Sequence, residues 1–121
     1  MKKLITIVDD KETIAKIIYS YLKSDYDFIY FNNPIKALAW LNEGKHPDMI
    51  ISDIRMPEMT GDVFLAKLKN DEKLKDIPVI MLSAEDSSSA RIALLQNGAT
   101  DYIVKPFNPL ELKIRIKKVL E

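Results

Sequence analysis

Five short apolar runs, rich in β-branched residues and separated by stretches of helical period, constrain most what this chain can fold into. They are Leu4–Val8, Phe28–Phe31, Met49–Ser52, Pro78–Leu82 and Tyr102–Val104. Four of these five are nearly all apolar, the pattern of strands covered by helices on both faces rather than half-exposed ones. Between the first two, Ile14, Ile17, Ile18, Tyr21 and Leu22 fall at i, i+3, i+4, i+7 and i+8, one stripe of an amphipathic helix. Asn33-Pro34 offers a cap and first-turn proline for a helix presenting Ile35, Leu38 and Leu41, which Gly44 closes. A loop over residues 54–60 leads to a helix around Val63–Asn70, and three serines lead to one around Ala90–Gln96 that Gly98 ends. Asn108-Pro109-Leu110-Glu111 is much like a capping box and opens a last helix to Leu120. Strand and helix therefore alternate five times, which predicts an α/β domain with an open parallel sheet and right-handed crossovers.

The length of 121 residues fits one domain, since domains cluster at roughly 100–150 residues. No Pro/Gly/Ser-rich linker or repeat divides residues 1–121. Eighteen basic and eighteen acidic residues cancel, so no broad attraction to nucleic acid or to an anionic membrane is expected. Cysteine is absent, which excludes disulfides and thiolate metal sites. No apolar run approaches the roughly 20 residues of a membrane span. The amino terminus reaches Asp9-Asp10 too soon to hold the apolar core of a secretion signal. A cytoplasmic protein is expected.

The apolar runs end in polar residues of one kind of chemistry. Asp9 and Asp10 follow the first run, Asp53 the third, Ser83 the fourth and Lys105 the fifth. In open parallel sheets ligands sit outside the carboxyl ends of the strands, so these residues should share one rim. Three carboxylates held together repel, and a hard divalent cation such as Mg²⁺ relieves the conflict. The Lys105 ammonium and the Ser83 hydroxyl suit phosphate oxygens instead. A metal site, a carboxylate nucleophile and two phosphate clamps are nearly all that phosphoryl transfer requires.

The stretches Ile7-Val8-Asp9-Asp10, Asp53-Ile54-Arg55-Met56-Pro57-Glu58-Met59-Thr60-Gly61, Leu82-Ser83-Ala84 and Gly98-Ala99-Thr100-Asp101-Tyr102-Ile103-Val104-Lys105-Pro106-Phe107 resemble the signature segments of response-regulator receiver domains. The resemblance covers essentially the whole chain. It implies a flavodoxin-like (βα)5 doubly wound parallel sheet of order 2-1-3-4-5, and a phosphorylation switch rather than an enzyme acting on an outside substrate. It also implies residue roles. Asp53 would take a phosphoryl group from a histidine kinase, a phosphotransfer protein or a small phosphodonor, with self-catalysed transfer and dephosphorylation. Asp10 and Asp53 would bind Mg²⁺ with the backbone carbonyl of Arg55, and Asp9 would act mainly through water. Ser83 and Lys105 would hold the phosphoryl oxygens, Ala84 leaves the approach open and adds backbone contact, and Tyr102 is the switch aromatic that moves inward. The resemblance further implies a cis Lys105-Pro106 bond. Signal would leave through the face of the fourth and fifth helices and fifth strand, towards an output domain, a target protein or a second copy of the chain.

Two departures from the commonest family patterns stand out. Lys11 follows the acidic pair where an acid is frequent, so metal or phosphate affinity would shift. Arg55 and Glu85, each two residues beyond a site residue, are expected to pair across the mouth of the site. Two other functions compete for the same residues. A haloacid-dehalogenase-type phosphatase also uses Asp, Ser/Thr, Lys and Mg²⁺, but it wants a general acid where Arg55 stands, and a guanidinium cannot donate at neutral pH. A flavin-binding carrier wants a Gly- and hydroxyl-rich loop where Asp9-Asp10-Lys11-Glu12 stands, and those acids repel phosphate.

Overall fold

The computed structural model describes residues 2–85 and 87–121. Its elements run β1 (Lys3–Val8), α1 (Glu12–Leu22), β2 (Tyr26–Phe31), α2 (Pro34–Leu41), β3 (Met49–Asp53), α3 (Gly61–Lys69), β4 (Val79–Ser83), α4 (Ser88–Gln96), β5 (Asp101–Val104) and α5 (Pro109–Leu120). The strands form one sheet in the order β2-β1-β3-β4-β5, with every neighbouring pair parallel. No helix among the described residues is long and apolar enough to cross a membrane.

Alternation along the strands divides the core into two layers. Ile5, Ile7, Met49, Ile51, Ile80 and Leu82 pack on one face with Ile18 and Leu22 of α1 and Leu112 and Ile116 of α5. Val8, Ile50, Val79 and Met81 pack on the other with Ala37 and Leu41 of α2, Phe64, Leu65 and Leu68 of α3 and Leu94 of α4. β3 and β4 are buried at every position, because they lie inside the sheet and helices cover both their faces.

The helical stripes need correction. On α1 the buried residues are Ala15, Ile18 and Leu22, while Ile17 and Tyr21 are exposed. On α2 they are Pro34, Ala37 and Leu41, and Ile35 is exposed. In both helices a small alanine sits where the helix approaches the sheet, so a stripe drawn through large side chains is rotated off the true contact line. The caps behave as their residue types dictate. Asn33 accepts from Ile35 N at 2.6 Å, Ser87 from Ala90 N at 3.4 Å and Asn108 from Leu110 N at 2.9 Å. Among the described residues the reciprocal half of the capping box is not made, and Glu111 turns to Arg115 instead, at 3.3 Å. Gly44 and Gly98 take positive φ of 93° and 108° just beyond α2 and α4.

Candidate functional site

The carboxyl ends of the central strands gather the polar residues foreseen for the site. Asp9 leaves β1 fully buried, Asp53 ends β3 at 4% exposure, and Asp10 beside Asp9 is exposed. Each of these three acids offers a carboxylate oxygen within 4.8 Å of the others. Lys105, just past β5, sits 3.1 Å from Asp9 Oδ2 and 3.1 Å from Asp53 Oδ1. The amide of Lys105 donates to Ser83 O at 2.6 Å, which fixes where its side chain begins. Its bond to Pro106 is cis.

The remaining bonds orient the carboxylates. Asp9 Oδ1 accepts from Lys11 N at 2.9 Å, and Asp53 Oδ1 accepts from Ile54 N at 2.8 Å. Asp53 Oδ2 has no hydrogen-bond or ion-pair partner among the described residues. Ser83 Oγ accepts from Glu85 N at 2.9 Å and keeps its own hydrogen to donate. Lys11, Asp53, Ile54, Arg55, Ser83, Ala84 and Lys105 line a shallow cavity of about 70 Å³. The structure thus brings Asp9, Asp10, Asp53, Ser83, Ala84, Arg55 and Lys105 to one rim.

Electrostatically the rim is short of cations. Two unit charges 4 Å apart interact by about 4 kcal/mol at an effective dielectric near 20, and one ammonium serves two buried carboxylates. Burial drives the Asp9 carboxyl above the ordinary carboxylate range and Asp53 adds to the rise, against the lowering effects of the Lys11 amide and Lys105. An all-oxygen donor set of this kind fits a hard divalent cation better than any softer metal.

Tyr102 stands one step back from the cavity. Its ring is buried, and its hydroxyl donates to Glu85 O at 2.6 Å, joining β5 to the loop after β4. Arg55 and Glu85 do not pair as expected: no ion pair links them among the described residues, and both side chains are exposed. The loop after β4 instead turns back on itself through the Glu85 amide and the Ser83 hydroxyl.

Two residues of the site escaped the sequence reading. Tyr30 donates its hydroxyl to Asp9 O at 2.6 Å, buttressing the end of β1 from the edge strand. Only the register that sets Tyr30 beside Ile7 reveals it. Gly61 matters because a Cβ there would lie 2.3 Å from Asp53 O and 2.7 Å from Ile54 Cα. Its amide donates to Ile54 O at 2.7 Å, closing the loop against the base of Asp53. A glycine opening a helix, where propensity disfavours it, was the available signal.

The response regulator receiver domain family matches residues 5–117. This chain is a response-regulator receiver domain. It is 40% identical over 120 residues to Histidine kinase P4 of Formosa agariphila, across 99% of this chain and 9% of that protein. It is 40% identical over 119 residues to the phosphate regulon transcriptional regulatory protein PhoB of Pseudomonas aeruginosa, across 98% of this chain and 52% of that protein. The chain therefore spans a small fraction of the first relative and about half of the second. The chemotaxis response regulator CheY4 of Vibrio cholerae shares the fold with a TM-score of 0.90 at 31% identity, over 99% of this chain and 100% of that one. The receiver fold, the strand order and the acidic cluster are thus those of a two-component signalling switch.

Proposed function

We propose that this receiver domain is switched by a phosphoryl group carried on Asp53, taken from the phosphohistidine of a histidine kinase or of a phosphotransfer protein. The observation that carries the reading is the shared cavity: Asp53 presents its free Oδ2 beside Ser83 and Lys105, next to two further carboxylates. Oδ2 attacks phosphorus as the donor's phosphorus–nitrogen bond breaks, and the electron pair of that bond leaves with the imidazole. Lys105 and the Ser83 hydroxyl hold oxygens of the arriving group, and Ala84 lines the same cavity, where its backbone would add a contact. Ile54 N–H and Lys105 both fall on Oδ1, which keeps the carboxylate turned with Oδ2 outward.

Asp10, Asp53 and the Arg55 carbonyl would hold Mg²⁺, with Asp9 acting through water. When bound, the ion supplies neutralisation of the carboxylates and of the phosphoryl oxygens. The product is an acyl phosphate, and attack of water at its phosphorus restores Asp53, so the domain resets itself without being an enzyme for other substrates.

The switch runs through Ser83, the loop after it and Tyr102. A Ser83 hydroxyl drawn to the phosphoryl group loosens its bond with Glu85 N, and Glu85 O is what Tyr102 holds. The signal would leave through α4, β5 and α5, where Ile92, Leu95 and Ile114 are exposed. That face would contact an output domain, a target protein or a second phosphorylated copy, in the cytoplasm and without direct contact to nucleic acid. Residues 1–121 act as one receiver module in this reading.

Incubation with Mg²⁺ and acetyl phosphate, followed by intact mass measurement, tests the proposal. One phosphoryl adduct is expected, lost in Asp53→Ala. No adduct with any donor, or one that survives in Asp53→Ala, overturns it.

A further inference from the structure

The two edges of the sheet are finished differently. β5 is short, its Asp101 is held by Arg115 at 2.9 Å, and Pro106 follows soon after its end. β2 runs for six residues, Tyr-Asp-Phe-Ile-Tyr-Phe, with one charge and neither proline nor glycine. Its register with β1 is one-to-one from Tyr26 to Phe31, so no bulge interrupts it. Among the described residues it pairs with β1 alone. Edges are normally blunted by shortness, proline, lysine or a bulge, because an open ladder recruits other strands. β5 is blunted in this way, and β2 is not.

The register decides which backbone groups of β2 are open. Asp9 N donates to Phe31 O at 3.1 Å, so Phe31 turns its backbone groups towards β1. Alternation gives Asp27 and Ile29 the same direction, and it turns the N–H and C=O of Tyr26, Phe28 and Tyr30 away from the sheet. The side chains of these last three join the core layer of α1, while Ile29 belongs to neither layer. Beside Phe28 lies a mostly apolar groove of about 250 Å³ whose walls include Ala15, Tyr19 and Tyr30. The Tyr19 ring, 52% exposed, meets Phe28 edge-on with centroids 6.1 Å apart.

The composition of the strand suits it to a second copy of itself. Antiparallel pairing about a two-fold axis can be centred on Asp27, Phe28 or Ile29. Centred on Asp27, it opposes two carboxylates. Centred on Ile29, it leaves Tyr26 beyond the end of the other strand. Centred on Phe28, it sets Tyr26 opposite Tyr30, Phe28 opposite its own counterpart and Asp27 opposite Ile29. Every outward donor then meets a carbonyl, and no like charges meet. Aromatic pairs across strands are favourable, and the groove beside each Phe28 gives the opposing ring a place to enter.

We infer that two copies of this chain join edge to edge through β2, antiparallel about Phe28, so that their sheets become one. The contact is isologous and uses up both open edges, so assembly stops at two. It lies at the opposite edge of the sheet from β5, and it needs no phosphoryl group on Asp53.

Sedimentation velocity of the full chain from micromolar to millimolar concentration, without Mg²⁺ or phosphodonor, should show a monomer–dimer equilibrium. Position 29 tests the register, because its side chain faces Asp27 of the other copy and belongs to neither core layer. Ile29→Asp opposes carboxylates twice in each dimer and should raise the dissociation constant about tenfold or more. Ile29→Lys meets Asp27 twice instead and should keep or lower it. Asp27→Lys combined with Ile29→Asp should restore association. Both single variants remove the same apolar side chain, so a plain folding defect would move them together. Amide exchange supplies a backbone readout. On raising the concentration, the Phe28 and Tyr30 amides should slow, while those of Asp27 and Ile29, already paired with β1, should not change. Ile114→Lys, on exposed α5, should leave the dimer as it is. A chain monomeric throughout the range, equal effects of aspartate and lysine at position 29, protection without alternation, disruption by Ile114→Lys, or growth beyond two copies each overturns the inference. None of these results bears on Asp53 as the phosphoryl acceptor.

Discussion

At the rim made by the amino ends of the strands, polar side chains close loops. Lys69 Nζ donates to Lys75 O at 2.9 Å and Ile77 O at 3.1 Å, Asp48 accepts from Leu4 N at 2.8 Å, and Thr100 Oγ1 accepts from Val79 N at 3.2 Å. Each of these three side chains meets a backbone group that needs it. At the opposite rim the ends of β1 and β3 bring three carboxylates together, two of which, Asp9 and Asp53, share Lys105, with Asp9 fully buried. The first rim is arranged for the folded state alone. The second holds like charges together and is stabilised fully only by something arriving. Neutralising a charge should therefore weaken one rim and strengthen the other.

The largest expected effect compares two glycines, one from each rim. Gly61→Ala at the carboxyl rim forces a methyl group against Asp53 O and Ile54 Cα, backbone atoms that cannot rotate away. It should cost about 3 kcal/mol in urea unfolding, at the upper end of overpacking. Gly44→Ala, in the α2–β3 loop, meets open space and carries only the penalty of its φ of 93°, about 1 kcal/mol. Equal costs would show that the loop behind Asp53 yields, and that the close approach does not constrain the site.

Charge comes next. Asp9→Asn should raise stability by about 1–2 kcal/mol at neutral pH without divalent ions, whereas Lys69→Met should lower it by about as much, because two carbonyls lose their donor. The sign follows from the raised pKa of Asp9. A carboxyl that holds its proton more tightly when folded stabilises the fold below its unfolded pKa, and that contribution is lost as pH rises through the folded value. Melting temperature should accordingly fall as pH climbs above the ordinary carboxylate range, and the slope should flatten in Asp9→Asn. Mg²⁺ at ten times its dissociation constant should restore about 1.4 kcal/mol to the wild type. A melting curve indifferent to Mg²⁺ would remove the metal from this account.

The strand between the rims offers a smaller test. Thr6 is fully buried in β1, and its hydroxyl has no hydrogen-bond partner among the described residues. Thr6→Val keeps the shape and removes the orphaned group, so it should add about 1 kcal/mol in urea unfolding. A loss would mean that the hydroxyl finds a partner in solution, and that polar groups off the rims are also satisfied.

The fold was legible because four of the five strands announce themselves twice, by an apolar run and by the polar residue that ends it. β3 is the plainest example, Met49 to Ser52 ending at Asp53. The rim chemistry was legible for the same reason: strand ends are sequence positions, and a parallel sheet brings them together whatever the register. What escaped depends on register or on backbone clearance. Tyr30 reaches Asp9 only because β2 pairs with β1 in one alignment, and Gly61 is required by atoms of a loop whose path no periodicity encodes. The helix stripes failed at Ile17, Tyr21 and Ile35 because the sheet is approached through Ala15 and Ala37, and a small buried residue leaves little mark in a hydrophobic pattern. The expected Arg55–Glu85 pair failed for a related reason, since two exposed side chains gain little from meeting.

Tyr102 supplies the smallest and most local difference between the rims. Its hydroxyl holds Glu85 O, while the Glu85 amide holds the Ser83 hydroxyl, so a chain of two bonds runs from β5 to the cavity wall. Tyr102→Phe keeps the buried ring and removes one neutral hydrogen bond, which should cost about 1 kcal/mol or less. The more telling readout is hydrogen exchange. If the hydroxyl tethers the loop after β4, the Glu85 amide should exchange faster in Tyr102→Phe, while the Val79 amide at the amino end of the same strand should not change. Acceleration at both ends would report a general loosening of β4, and the two rims would then not be mechanically separate. Acceleration at Glu85 alone would show that the carboxyl rim loosens independently, as a loop that rearranges on phosphorylation must.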